Sequence, residues 1–183
     1  MAKQFTFFRP DSSTYGGTLR NARRGRGARP LHTRYSMHGV LRSTKARGKW
    51  SFLYGQNPRV VASIIKKFAT KYGIKIHSVA NAGNHLHLHL QLSNRRSWKP
   101  FIRAVTAAIA MAITGTSRWT KLESAKGFWD LRPYTRIVFG RRAFQTLKDY
   151  IEMNKWEAFG FDRAGARMVV QANKLGRMFW NTM

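Results

Sequence analysis

Asn84-His85-Leu86-His87-Leu88-His89-Leu90-Gln91-Leu92 alternates with a period of two. Successive side chains of a β-strand point to opposite faces. Read as a strand, this stretch puts His85, His87 and His89 on one face and Leu86, Leu88, Leu90 and Leu92 on the other. The leucines belong under helices in a core. Same-face neighbours along a strand lie only ~7 Å apart, so two of the imidazoles can reach one metal ion, and histidine is the commonest metal ligand. A single His-x-His is more simply the polar face of a half-exposed strand. Three within residues 85–89, in a chain with 6 histidines in all, favour a site.

Working outward, residues 74–80 form a second apolar-rich strand, joined to 85–92 by the short turn Asn81-Ala82-Gly83-Asn84, which makes the pair a hairpin. Before them, Asn57-Pro58 opens a helix with Asn57 as N-cap and Pro58 in the first turn. Its stripe is Val61, Ile64, Ile65, Phe68 and Tyr72, and Gly73 closes it. Earlier still, residues 33–42 alternate, with Tyr35, Met37, Gly39 and Leu41 on one side and Arg34, Ser36, His38 and Val40 on the other. After the hairpin, a helix over about 98–113 turns Phe101, Ile102, Val105, Ile109 and Ala112 inward. A strand over 134–139 and a helix over about 142–157 follow. The order is β-α-β-β-α-β plus a helix. The fold class is therefore α+β, a ferredoxin-like split βαβ antiparallel sheet with an added C-terminal helix bearing Tyr150. The chain divides into a basic arm, 1–31, a domain over 32–160, and a basic tail, 161–183, with Met168, Val169, Leu175, Phe179 and Trp180 available for docking. No internal repeat is present.

The 183 residues suffice for one domain with its own core. Lys and Arg number 34 against 7 for Asp and Glu, a formal net charge of +27. Such a chain calls for a polyanion, and nucleic acid is the first choice. No apolar run is long enough to span a bilayer, and Met1–Pro10 lacks the apolar core of a signal peptide; a cytoplasmic protein with no membrane partner is expected. With 0 cysteines, disulfides and thiolate metal sites are excluded. Basic arms usually follow phosphates. Arg20, Arg23, Arg24, Arg26 and Arg29 of the Gly/Arg-rich arm, with Arg95 and Arg96, are the expected DNA contacts. Trp98, Trp119, Trp129 and Trp156 can stack on bases, though at least half of them are expected in the core.

A second candidate feature is Tyr150-Ile151-Glu152-Met153-Asn154. Tyr150 and Asn154, four apart on a helix, lie one above the other. They border a stripe of Phe144, Leu147 and Ile151, so both lean over the sheet. Alone, Tyr150 would read as a boundary aromatic with its hydroxyl in water.

The two features together resemble the HUH superfamily of single-tyrosine transposases, and most closely the REP-associated tyrosine transposases and related insertion-sequence enzymes. The resemblance runs from about His32 to Gly160. It rests on Asn84-His85-Leu86-His87, on Phe128-Trp129-Asp130, and on Tyr150-Ile151 with Asn154. It implies that His85, His87 and Asn154 hold a divalent metal, Mg²⁺ or Mn²⁺, and that Tyr150 is the nucleophile. The implied activity is cleavage and joining of single-stranded or hairpin DNA through a covalent 5′-phosphotyrosine. His89 lies outside the family motif; a supporting position behind the ligands and a DNA contact are both open for it. Gly83 stands where the family often has Pro, and so does Lys155. Relatives act as monomers or as homodimers with swapped tyrosine helices, and both remain open. The competing reading is a non-catalytic basic protein that binds structured RNA or DNA, although the 85–92 strand lacks the aromatic pattern of an RNA-recognition motif.

Overall fold

A computed structural model describes residues 14–16, 29–117, 119–120 and 127–180, the last six of these by backbone alone. The elements are β1 (Thr14–Tyr15), β2 (Ser36–Arg42), α1 (Asn57–Lys71), β3 (Ile74–Asn81), β4 (His85–Leu92), α2 (Trp98–Thr114), β5 (Tyr134–Val138), α3 (Gly140–Ala158) and α4 (Arg163–Trp180). They build an antiparallel sheet in the order β1-β5-β2-β4-β3. Without the two-residue β1, this is the expected split βαβ arrangement, with β4 inserted between β2 and β3.

Alternation on β4 decides which layer sits on which face. Leu86, Leu88 and Leu90 are fully buried and Leu92 nearly so. They pack with Met37 and Leu41 of β2, Val61 and Ile65 of α1, and Phe101, Val105 and Ile109 of α2 in one cluster. Burying leucines of this kind supplies about 1.5–3 kcal/mol each. The opposite face of the same strand lies under α3, whose Ile151 is fully buried and whose Phe144 ring packs 4.4 Å from that of His89.

Several local expectations shift. Gln56, not Asn57, is the N-cap residue of α1. Asn57 is already helical, and its side-chain amide donates instead to the carbonyls of Lys49 and Ser51, at 3.1 and 2.7 Å. Ala112 is exposed and Ile113 buried, because the inward row runs 101, 105, 109, 113 at four-residue steps. β2 begins at Ser36 rather than 33, β5 stops at Val138, and α3 starts at Gly140. Residues 163–180, for which the sequence suggested no element, form helix α4 against α3, with Ala166 and Val170 buried.

Gly83 has φ +83°. Proline is locked near −65°, so the turn here takes a conformation that the family's frequent Pro cannot adopt. The Phe128-Trp129-Asp130 segment is structural. Phe128 is buried, and its carbonyl accepts a hydrogen bond from the Ser43 hydroxyl. The Asp130 carboxylate accepts from the Thr44 amide and hydroxyl at 2.7 and 2.9 Å, which ties the approach to β5 onto the end of β2.

Among the described residues, no helix is long and apolar enough to cross a membrane.

Candidate active site

The cross-strand register builds the site. On the face opposite the leucines, His85, His87 and His89 stand directly across from Arg42, Val40 and His38 of β2. Tyr134 and Arg136 of β5 stand across from Val40 and His38. Opposed residues share a face, so three strands contribute to one polar patch beneath α3. The His85 and His87 rings meet edge to face, centroids 4.8 Å apart. Tyr150 descends from α3 onto the same patch, edge-on to His87 at 5.4 Å and to His38 at 6.0 Å. His85, His87 and Tyr150, far apart in sequence, are thus brought together within one chain.

Asn154 follows one turn after Tyr150 and is 8% exposed. Its amide nitrogen donates to the Tyr150 carbonyl at 2.6 Å, which leaves the amide oxygen as the end able to face a cation. Among the described residues, no group of three or more His, Cys, Asp or Glu is placed to hold a metal. The set at issue, two histidines and an asparagine, is of another kind, and its chemistry fits a divalent ion. Burial pushes His87 down to about 3 and His38 to about 4, and it lowers His85 as well. All three are neutral at pH 7, the form in which imidazole donates a lone pair. His85 Nδ1 lies 2.7 Å from Asn84 Oδ1, an acceptor, so its proton belongs there and its Nε2 is the ligand end. His87 Nε2 is buried with no hydrogen-bond partner, as a nitrogen reserved for a ligand would be.

Sequence reasoning missed the support around these groups. His38 Nε2 lies 3.0 Å from His87 Nδ1, and the two rings are nearly parallel. His38 also meets Tyr134 edge-on at 6.0 Å. Burial raises the Tyr134 phenol. His38 was legible as a residue on one face of its strand. Only the register with β4 reveals which face that is. From α4, the Arg163 guanidinium sits 5.7 Å over the Tyr150 ring while paired with Glu157 at 2.8 Å. A cleft of about 780 Å³, lined in part by His38, Tyr134, Arg136, Phe139, Arg142 and Tyr150, opens between β5 and α3.

Other expected residues lie elsewhere. His89 is fully buried, with its Nε2 2.8 Å from the Ser36 hydroxyl and its ring against Phe144 and His77; no DNA can touch it, and that option for it closes. Arg29 turns into the fold. It donates to the Pro133 carbonyl and the Thr135 hydroxyl at 2.8 and 2.6 Å and stacks over Tyr15 at 4.3 Å. Those bonds commit it to holding the arm on the sheet rather than to a phosphate. Arg20, Arg23, Arg24 and Arg26 lie outside the described residues. Arg95 and Arg96 are exposed, beyond the end of β4 farthest from His85. Trp98 is buried, Trp129 packs on the core and donates to the Thr106 carbonyl at 2.9 Å, and Trp119 is 88% exposed.

Residues 32–154, about two thirds of the chain, match the family described as "Transposase IS200 like". The chain belongs to this transposase family. It is an enzyme acting on DNA by that membership, and α4 lies beyond the matched region. Among solved structures, the transposase resembles a REP-associated tyrosine transposase bound to a REP hairpin, with 14% identity over 73% of each chain and a TM-score of 0.55. It also resembles a candidate transposase from Deinococcus radiodurans R1, with 16% identity, 72% of this chain and 97% of that one covered, and a TM-score of 0.44. At this identity the first likeness speaks for the fold. No curated protein matches the chain.

Proposed function

We propose that this transposase cuts and rejoins single-stranded or hairpin DNA with Tyr150 as nucleophile and with Mg²⁺ or Mn²⁺ held by His85, His87 and Asn154. The observation that carries the proposal is the placement of Tyr150 edge-on to His87 at 5.4 Å in the same chain, on a ring whose buried Nε2 has no hydrogen-bond partner. The bound ion would polarise a phosphoryl oxygen and neutralise charge that builds in the transition state.

The chain's own residues do the rest. Tyr150 Oη attacks phosphorus, and an Oη–P bond forms as the P–O3′ bond breaks. The phenol proton passes to water at the open cleft, and the departing O3′ takes up a proton as a free hydroxyl. The 5′ end stays on Tyr150 as a phosphodiester of comparable energy, so the step runs backward onto a new 3′ hydroxyl without ATP. Arg136 and Arg142 at the cleft, and Arg163 above the Tyr150 ring, supply positive charge where the phosphodiester backbone must pass. That a solved fold neighbour is bound to a REP hairpin supports hairpin DNA as the substrate to try first.

The test is a denaturing gel with end-labelled single-stranded hairpin DNA and Mn²⁺. The expected result is a protein adduct that carries the 3′ label of the substrate, a free 3′ hydroxyl on the released 5′-labelled piece, and loss of both products in EDTA. Full cleavage in EDTA would refute the metal dependence. Tight binding with no adduct would favour the non-catalytic binder.

A further inference from the structure

Two imidazoles can present lone pairs to one ion only if each ring carries its proton on the nitrogen that faces away. For His85 that nitrogen is bonded to Asn84 Oδ1 at 2.7 Å. For His87 it is Nδ1, 3.0 Å from Nε2 of His38. We propose that His38 is a positioning residue that accepts a hydrogen bond from His87 Nδ1–H and thereby holds His87 in the tautomer with a bare Nε2, on the ring that stands edge-on to Tyr150.

The register explains how a residue on β2 reaches that nitrogen. His87 faces Val40 and His89 faces His38, so His38 is the diagonal neighbour of His87. Diagonal pairs are close enough for large side chains to touch, and here the rings lie nearly parallel, 18° apart with centroids at 5.3 Å, as an in-plane bond between their nitrogens requires. His38 is itself held in place. Tyr134 and Tyr150 meet it edge-on from two sides, each at 6.0 Å, so its ring cannot swing away without displacing both. The tautomer follows from the other end of His87. Its Nε2 is buried and has no acceptor; protonating that atom would orphan an N–H in the interior, which folded proteins rarely do. The proton therefore sits on Nδ1 and points at His38, whose Nε2 must be the acceptor. Partners of this kind behind a ligating histidine fix ring orientation and raise ligand basicity. Nothing in the His-Leu-His motif announces His38, because the interaction crosses from another strand.

The inference rests on the metal-dependent reading above, and the experiment separates the two. His38→Phe keeps a ring between the tyrosines and removes the acceptor; His38→Gln keeps an acceptor. Long-range nitrogen NMR of the metal-free protein reports the His87 tautomer, and calorimetric or EPR titration with Mn²⁺ reports affinity. We expect His87 as Nδ1–H in wild type, loss of that preference in His38→Phe with roughly 10–100-fold weaker Mn²⁺ binding, and substantial recovery of both in His38→Gln. A wild-type His87 protonated on Nε2 overturns the proposal by itself, whatever the variants do. If wild type and His38→Phe bind Mn²⁺ equally well, the His38 inference falls and the metal reading stands. If wild type shows the Nδ1–H tautomer yet binds no Mn²⁺, the metal reading falls and the role of His38 in fixing the tautomer stands.

Discussion

Two tyrosines flank His38 at the same 6.0 Å ring distance, Tyr150 from α3 and Tyr134 from β5, so the contact with His38 does not by itself distinguish the nucleophile. Tyr150 also stands edge-on to His87 at 5.4 Å, which favours it, and burial raises the Tyr134 phenol. Tyr150→Phe should therefore abolish covalent adduct formation, with a fall in cleavage on the order of 10⁴-fold or more, as for removal of other nucleophiles. The rest of the site should survive the change. Phe keeps the ring contacts to His87 and His38, and it keeps the backbone carbonyl to which Asn154 donates at 2.6 Å. Stability should stay within about 0.5 kcal/mol, and hairpin binding within a few-fold, so the loss belongs to the chemical step. The assay is the adduct gel run on wild type, Tyr150→Phe and Tyr134→Phe, with melting curves and binding isotherms on the same preparations. An adduct that persists in Tyr150→Phe and vanishes in Tyr134→Phe would refute the assignment and move the nucleophile to β5.

Further outcomes follow from the same geometry. His85→Ala or His87→Ala should remove metal-dependent cleavage, measured with and without added Mn²⁺, whereas His89→Ala should mainly cost stability, roughly 2–3 kcal/mol from the lost packing and the lost bond to Ser36; a stable but inactive His89 variant would place it in the chemistry. His38 has an ordinary value of 6.5 and sits near 4 when folded, so between those limits the unfolded chain binds more protons. The stability that neutral His38 represents is present above about pH 6.5 and is lost as pH falls toward 4, by roughly 1–2 kcal/mol between pH 7 and 5. Urea unfolding at the two pH values should show that loss in wild type and less of it in His38→Gln; equal stability at both would contradict the buried neutral state. Burial depresses His87 and His89 as well, so the part of the loss that belongs to His38 is the difference between wild type and His38→Gln. Replacing Arg20, Arg23, Arg24 and Arg26 by Ala should flatten the slope of log K against log salt by roughly 0.7 per lost contact on single strands, whereas Arg29→Ala should lower the melting temperature instead; an unchanged slope would show those four arginines to be free of the DNA.

The sequence by itself determined the β-α-β-β-α-β order, the leucine core and the face shared by His85, His87 and His89, because strand and helix periodicity are local and show in the order of residues. Tyr150 and Asn154 were legible for the same reason: four-residue spacing on a helix fixes their common side whatever the helix packs against. Tertiary structure alone decided what meets what. Cross-strand register carried His38 to His87 and Tyr134 to His38, and register depends on pairing partners that no single strand encodes. Helix α3 separated His89 from its neighbours on the same face, because it covers one end of that row with Phe144 and lays Tyr150 over His87. Arg29 looked like every other arginine of its arm, since composition cannot tell a cation that follows phosphate from one anchored on Pro133 and Thr135, about a hundred residues away along the chain. Arg163 reached Tyr150 only because α4 folds back on α3, a long-range contact that the composition of the last residues does not contain.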